Sequence, residues 1–160
     1  MFETNYVKIE IQKNFLVQEY FAILKNPLAI LSGFILGQTN SKNFESIIVS
    51  KGIQEIKLII EYLLNKKEIK ISSILIGDAI LTTTSKKSRN FNFGYNLVLN
   101  NNQLDINLKT KNTVEGLNTI KSLSKRIGVD FKNFKLFYFL YNLFFINKQN
   151  KQQYLNLLFS

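Results

Sequence analysis

Residues 69–84 read IKISSILIGDAILTTT. Isoleucine, leucine and threonine crowd this run, and Gly77-Asp78 stands at its middle. β-Branched residues fit a pleated, half-buried surface. A Gly-Asp pair between two apolar runs suits a tight turn. The run predicts two short strands joined at Gly77-Asp78, and Asp78 itself reads as a turn residue.

The flanks extend this pattern. Downstream, residues 85–96 read SKKSRNFNFGYN, a basic and Asn-rich loop with interleaved aromatics. It forms a natural boundary between two halves. Upstream, Phe44 to Leu64 keeps apolar residues at helical spacing, with Thr39, Asn40 and Ser41 as possible caps and Gly52 as an interruption. Residues 32–43, SGFILGQTNSKN, read as a loop. GFILG, residues 33–37, places two glycines four apart and acts as a turn or packing device. Residues 14–31 are mostly apolar and hold the only proline, Pro27. YVKIEIQ, residues 6–12, alternates like a short strand. Residues 97–128 predict short helices, the last stopped by Gly128. Residues 131–160 predict an apolar, aromatic helix and a tail.

Composition narrows the chemistry. The 160 residues contain neither Cys nor His. Disulfides and thiolate metal sites are excluded, and the commonest general base is missing. Net charge is +10, with 21 basic and 11 acidic residues. Residues 1–79 contribute a net +1 and residues 80–160 a net +9. Such asymmetry predicts that the second half faces a polyanion, either nucleic acid or an anionic membrane surface. Lys86, Lys87 and Arg89 suit phosphates, while Asn90 and the nearby aromatics suit unpaired bases. No catalytic constellation, cofactor motif or metal-ligand cluster is visible. No stretch reaches the roughly 20 apolar residues needed to cross a bilayer. The first residues resemble neither a signal sequence nor an Arg-rich presequence.

Several segments, in order, resemble the large-subunit ribosomal protein L-eleven family. YVKIEI at 6–11 resembles its opening strand, and GFILGQ at 33–38 its GPALGQ. IKISSILIGDAILTTTSKKS at 69–88 aligns with its hairpin, placing Asp78, Thr82 and Lys86 on the family's Asp, Thr and Lys. LNNNQLDINLKTK at 99–111 and TIKSLSKRIGVDF at 119–131 resemble its C-terminal helices. Residues 132–160 have no counterpart in that family.

The resemblance implies an α+β fold. Residues 1–84 would form a helix-plus-small-sheet domain, and residues 86–131 a compact helical RNA-binding domain. Residues 132–160 would add an extra C-terminal helix. It implies a non-enzymatic constituent of a mitochondrial large ribosomal subunit, with no cofactor and no membrane contact. Its partners would be large-subunit rRNA, the stalk-base protein and translational GTPases. Lys86, Lys87, Arg89, Lys109, Lys111, Lys121, Lys125 and Arg126 would contact phosphates. Asn90, Asn101, Asn102, Asn118, Thr119 and Ser122 would read sugars and bases. Pro27, Gly33, Gly37 and Gln38 would form the N-terminal loop near rRNA and factors. Two alternatives remain open. LSGFILGQ and SSILIGDA resemble the LAGLIDADG homing endonucleases in decayed form. The apolar helix at 134–146 would also suit a subunit of an organellar membrane complex.

Overall fold

The computed structural model describes residues 15–99 and 114–146. Every regular element among them is helical, and none is a strand. The expected α+β fold gives way to an all-helical one. Helix α1 spans Phe15–Thr39, α2 Lys42–Leu64, α3 Ser73–Thr84, α4 Arg89–Leu99 and α5 Glu115–Ile127. A 3-10 turn, Gly128–Asn133, leads into α6, Lys135–Tyr141, and then a π turn, Asn142–Ile146. The strand expected over 6–12 lies outside the described residues.

The hairpin expected over 69–84 is helix α3, and its hydroxyls explain why. Ser72 caps the helix, its Oγ accepting from the Leu75 N–H at 3.3 Å. Thr82, Thr83 and Thr84 donate their hydroxyls back to the carbonyls of Asp78, Ala79 and Ile80, each at 2.8 Å. This i−4 bonding lets a threonine run settle in a helix despite its preference for strands. Ala79 and Thr83, one turn apart, are buried against the rest of the molecule. Gly77 is a mid-helix residue, and Asp78 follows it on an exposed face.

The loops expected at 32–43 and 85–96 also fold differently. Ser32 to Thr39 continue α1, and Asn40 ends it in the left-handed region at φ 48°. Ser41 then caps α2, accepting from the Phe44 N–H at 3.4 Å. The helix expected over 44–64 is present, but Gly52 does not interrupt it. A Cβ there would lie 2.1 Å from Leu28 Cδ1, so the glycine seats α1 on α2. Residues 89–99 form α4 because Ser88 caps them, its Oγ accepting from Phe91 N–H at 3.3 Å. Only Ser85 to Ser88 remain a turn.

Helix α1 is the spine, in contact with α2, α3, α4 and α5. By length and composition it could cross a bilayer, yet most of it is buried among the other helices. Its GFILG stretch is a packing device. A Cβ on Gly33 would stand 2.1 Å from the Phe91 carbonyl oxygen, and one on Gly94 would stand 1.9 Å from the Ile30 oxygen. Helices α1 and α4 therefore meet backbone to backbone. Around this crossing Phe34 packs on Phe139 at 6.2 Å and Phe93 stacks on Phe144 at 5.8 Å. Glu55 of α2 ties α6 to the bundle. Its carboxylate accepts from the backbone N–H of Leu136 and of Phe137, at 3.1 and 2.9 Å.

Candidate active site

The crossing of α1 and α4 carries a polar cluster at its edge. Lys25 lies on α1 just before the fully buried stretch that begins at Pro27. Its Nζ donates to Asp78 Oδ2 of α3 at 2.5 Å. The lysine side chain is only 18% exposed and the aspartate 48%, so the cation is the more sheltered partner. No neighbour in the sequence explains this pair, since 53 residues separate its members.

Asn26 follows Lys25, and its Nδ2 donates to Glu115 Oε2 at 3.1 Å. Glu115 is the first residue of α5, where a carboxylate favourably meets the positive end of the helix. Arg89 and Asn90 open α4. Arg89 is exposed, whereas Asn90 is buried and its Oδ1 accepts from the Gly116 N–H at 3.2 Å. A cavity of about 380 Å³ opens beside these groups, lined by Arg89, Asn90, Asn92, Asn96 and Glu115 among others. Three contacts thus link four helices here, Lys25 to Asp78, Asn26 to Glu115 and Gly116 to Asn90, with Arg89 and Glu115 lining the cavity.

The sequence-derived positions separate into groups. Lys86 and Lys87 are exposed in the turn before α4, next to Arg89 and Asn90. Asn118, Thr119, Ser122 and Arg126 line a second cavity, of about 330 Å³, between α5 and α1. Arg126 stacks its guanidinium over the Tyr20 ring at 5.5 Å. Lys121 and Lys125 are exposed on α5. Pro27 and Gly33 are buried inside α1, and Gly37 and Gln38 are half-buried near its end. Asn101, Asn102, Lys109 and Lys111 lie outside the described residues. Lys25, Asn26 and Glu115 carried no sequence expectation, and Asp78 was expected to be a turn residue. A cation followed by asparagine occurs at Lys25-Asn26 and Arg89-Asn90, but also at Lys13-Asn14, Lys42-Asn43, Lys111-Asn112 and Lys132-Asn133, so the pair by itself marks no site.

Fold and cluster together define an all-helical domain built around a half-buried charged site, an architecture suited to holding a small polar molecule. Residues 15–154 match the family model of the NAD-dependent glycerol-3-phosphate dehydrogenase C-terminus, and the chain belongs to that family. It is 35% identical over 133 residues to a glycerol-3-phosphate dehydrogenase [NAD(P)+] of Mycoplasma mobile, covering 81% of this chain and 39% of that protein. The enzyme of the same name from Acholeplasma laidlawii is 28% identical over 157 residues, covering 96% of this chain and 46% of that protein. That of Ehrlichia chaffeensis is 32% identical over 133 residues, covering 77% and 39%. The chain thus spans less than half the length of these relatives.

This membership overturns the ribosomal resemblance. The segments at 33–38, 73–84 and 119–127 are helical parts of a dehydrogenase-family domain. Large-subunit rRNA, the stalk-base protein and translational GTPases fall away as partners, and ribosomal structure falls away as the function. The expectation of a non-enzymatic protein is corrected too, since the relatives are enzymes. Neither the homing endonuclease nor the membrane-complex alternative gains support from the match.

Proposed function

We propose that this chain supplies the part of a glycerol-3-phosphate dehydrogenase that holds glycerol 3-phosphate and exchanges a proton with it. The Lys25–Asp78 pair carries the reading. Oxidising a secondary alcohol to a ketone needs a group that takes the hydroxyl proton, and the reverse reaction needs the same group to return it. Lys25 is an amine on a rigid helix, sheltered from water and held by a carboxylate. In this role it exchanges a proton with the substrate's C2 oxygen, while Asp78 keeps the amine aimed.

The phosphate end falls to Arg89. A guanidinium fits phosphate oxygens two at a time. As the first residue of α4, Arg89 also stands where helix N–H groups point outward. Lys86 and Lys87 add positive potential along the approach. The charge that pointed to a polyanion is here assigned to a small anion.

The described residues offer a dinucleotide no cradle. No strand runs into a helix among them, and the seven glycines nowhere form Gly-x-Gly-x-x-Gly. The share assigned to this chain is the alcohol and phosphate ends of the substrate. A mitochondrial location, expected together with the ribosome, has no part in this proposal.

Calorimetric titration of the 160-residue chain with glycerol 3-phosphate, inorganic phosphate and glycerol tests the reading. The two phosphates are expected to bind and glycerol not to. Arg89→Ala is expected to weaken glycerol 3-phosphate by about tenfold or more, the worth of a charge-assisted contact. Equal affinity in the wild type and the variant, or no binding at all, overturns it.

A further inference from the structure

Each of the two site cations is followed by an asparagine, and the two asparagines bond adjacent residues, Glu115 and Gly116. Asn26 donates to the Glu115 carboxylate at 3.1 Å. Asn90 accepts from the Gly116 N–H at 3.2 Å. The first turn of α5 therefore touches the backbone neighbour of Lys25 on one side and that of Arg89 on the other. The approach is close because residue 116 is glycine. A Cβ there would stand 2.9 Å from the carbonyl carbon and oxygen of Asn26 and 2.6 Å from Ile30 Cδ1.

These contacts differ in kind. Asn90 is buried, so the Gly116 bond satisfies an amide oxygen that folding has removed from water. Glu115 is exposed and could leave its carboxylate in solvent at little cost. It is instead turned back across the start of α5 to the residue after Lys25. Burial does not demand that contact, which makes it the adjustable side of the clamp.

We propose that Glu115 is a positioning residue, and that the first turn of α5 sets the spacing between Lys25 and Arg89 through Asn26 and Asn90. The inference rests on the functional reading above and adds to it. Spacing matters only for a ligand that reaches both cations. Glycerol 3-phosphate has a hydroxyl for Lys25 and a phosphate for Arg89, whereas inorganic phosphate has a group for Arg89 alone. Holding both ends of a substrate in register is the kind of positioning on which its reaction depends.

Affinities of the 160-residue chain for the two ligands, measured for three variants, provide the test. Glu115→Ala is expected to lower the affinity for glycerol 3-phosphate about fivefold relative to that for inorganic phosphate, the worth of one net hydrogen bond. Glu115→Gln keeps an oxygen that accepts from Asn26 and is expected to restore wild-type affinity. Gly116→Ala, which pushes α5 off the Asn26 backbone and moves the N–H that Asn90 accepts from, is expected to weaken both ligands, glycerol 3-phosphate the more. Melting temperatures show whether each variant stays folded. Equal weakening of both ligands marks a merely structural role and overturns the proposal. So does an alanine variant with wild-type affinities, or a glutamine variant as weak as alanine. A wild-type chain that binds neither ligand defeats the functional reading itself, a different result from a wild type that binds both and variants that do not discriminate.

Discussion

Two successive stretches of helix α1 make opposite use of the same backbone. Residues 27–36 are buried without a break, so that stretch has no solvent face. Residues 17–26 bury only Val17, Phe21 and Leu24 and leave the rest exposed or half-exposed. A helix buried all round cannot rotate or slide without disturbing every neighbour. The first stretch is thereby fixed, and Lys25 and Asn26 inherit their placement from the anchor next door. The site is a polar edge on a dry spine. The division predicts that substitutions in the spine cost stability, while substitutions at the edge cost ligand discrimination.

The largest expected effect comes from emptying the spine. Phe34 is 1% exposed and packs on Phe139. Phe34→Ala should remove about 4 kcal/mol of stability, through lost burial plus the cavity left behind. Chemical denaturation measures it. A loss under about 1 kcal/mol would mean that the spine collapses readily and does not anchor Lys25.

Overfilling the crossing comes next. Gly94→Ala places a methyl group 1.9 Å from the Ile30 carbonyl oxygen, a backbone atom that cannot step aside as a side chain can. Separating α1 from α4 should cost about 3 kcal/mol. The same shift should disturb Asn90, one turn earlier on α4. Stability and phosphate affinity are therefore expected to fall together here, unlike at any other site in this series.

Glu55 gives a smaller effect with a distinctive pH signature. Burial raises its pKa above the ordinary 4.5, although the N–H groups of Phe137 and Leu136 and the nearby Lys135 pull it back. The folded chain thus holds this proton more tightly than the unfolded chain. The resulting stabilisation is complete below about pH 4 and is lost as pH rises through the folded value. Glu55→Gln cannot titrate. The melting temperature of the wild type, measured relative to Glu55→Gln, should fall as pH rises across that window. A difference that grows more favourable to the wild type with rising pH would show that the two N–H bonds outweigh burial.

Parts of this arrangement were legible in the sequence. The capped helix ending at Leu64 and the Gly128 stop rest on local rules, and local rules held there. The run at 73–84 defeated them because its threonines bond within the helix, an option invisible to a tally of β-branched residues. Once that run was read as a hairpin, Asp78 became a turn residue and Lys25 lost its partner. Arg89 was singled out for phosphates and Asn90 for unpaired bases, and the structure places both at the start of α4. Their link to Lys25 passes through the start of α5, a contact between distant segments that no spacing in the chain encodes.

The smallest expected effect on stability is the one that most sharpens the contrast between spine and edge. Lys25→Met removes the cation of the Lys25–Asp78 pair and keeps a flexible apolar stem of similar length. Asp78 is about half exposed, so its carboxylate can return to water when the amine is gone. Ion pairs of this exposure contribute roughly 0.2–1 kcal/mol, and the methionine retains the packing of the lysine stem. Thermal unfolding should therefore shift little. Inorganic phosphate should bind as before through Arg89, while proton exchange with the substrate's hydroxyl loses its agent. If Lys25→Met instead destabilises the chain as much as Gly94→Ala, the pair is part of the anchor, and the polar edge has no independence from the spine that carries it.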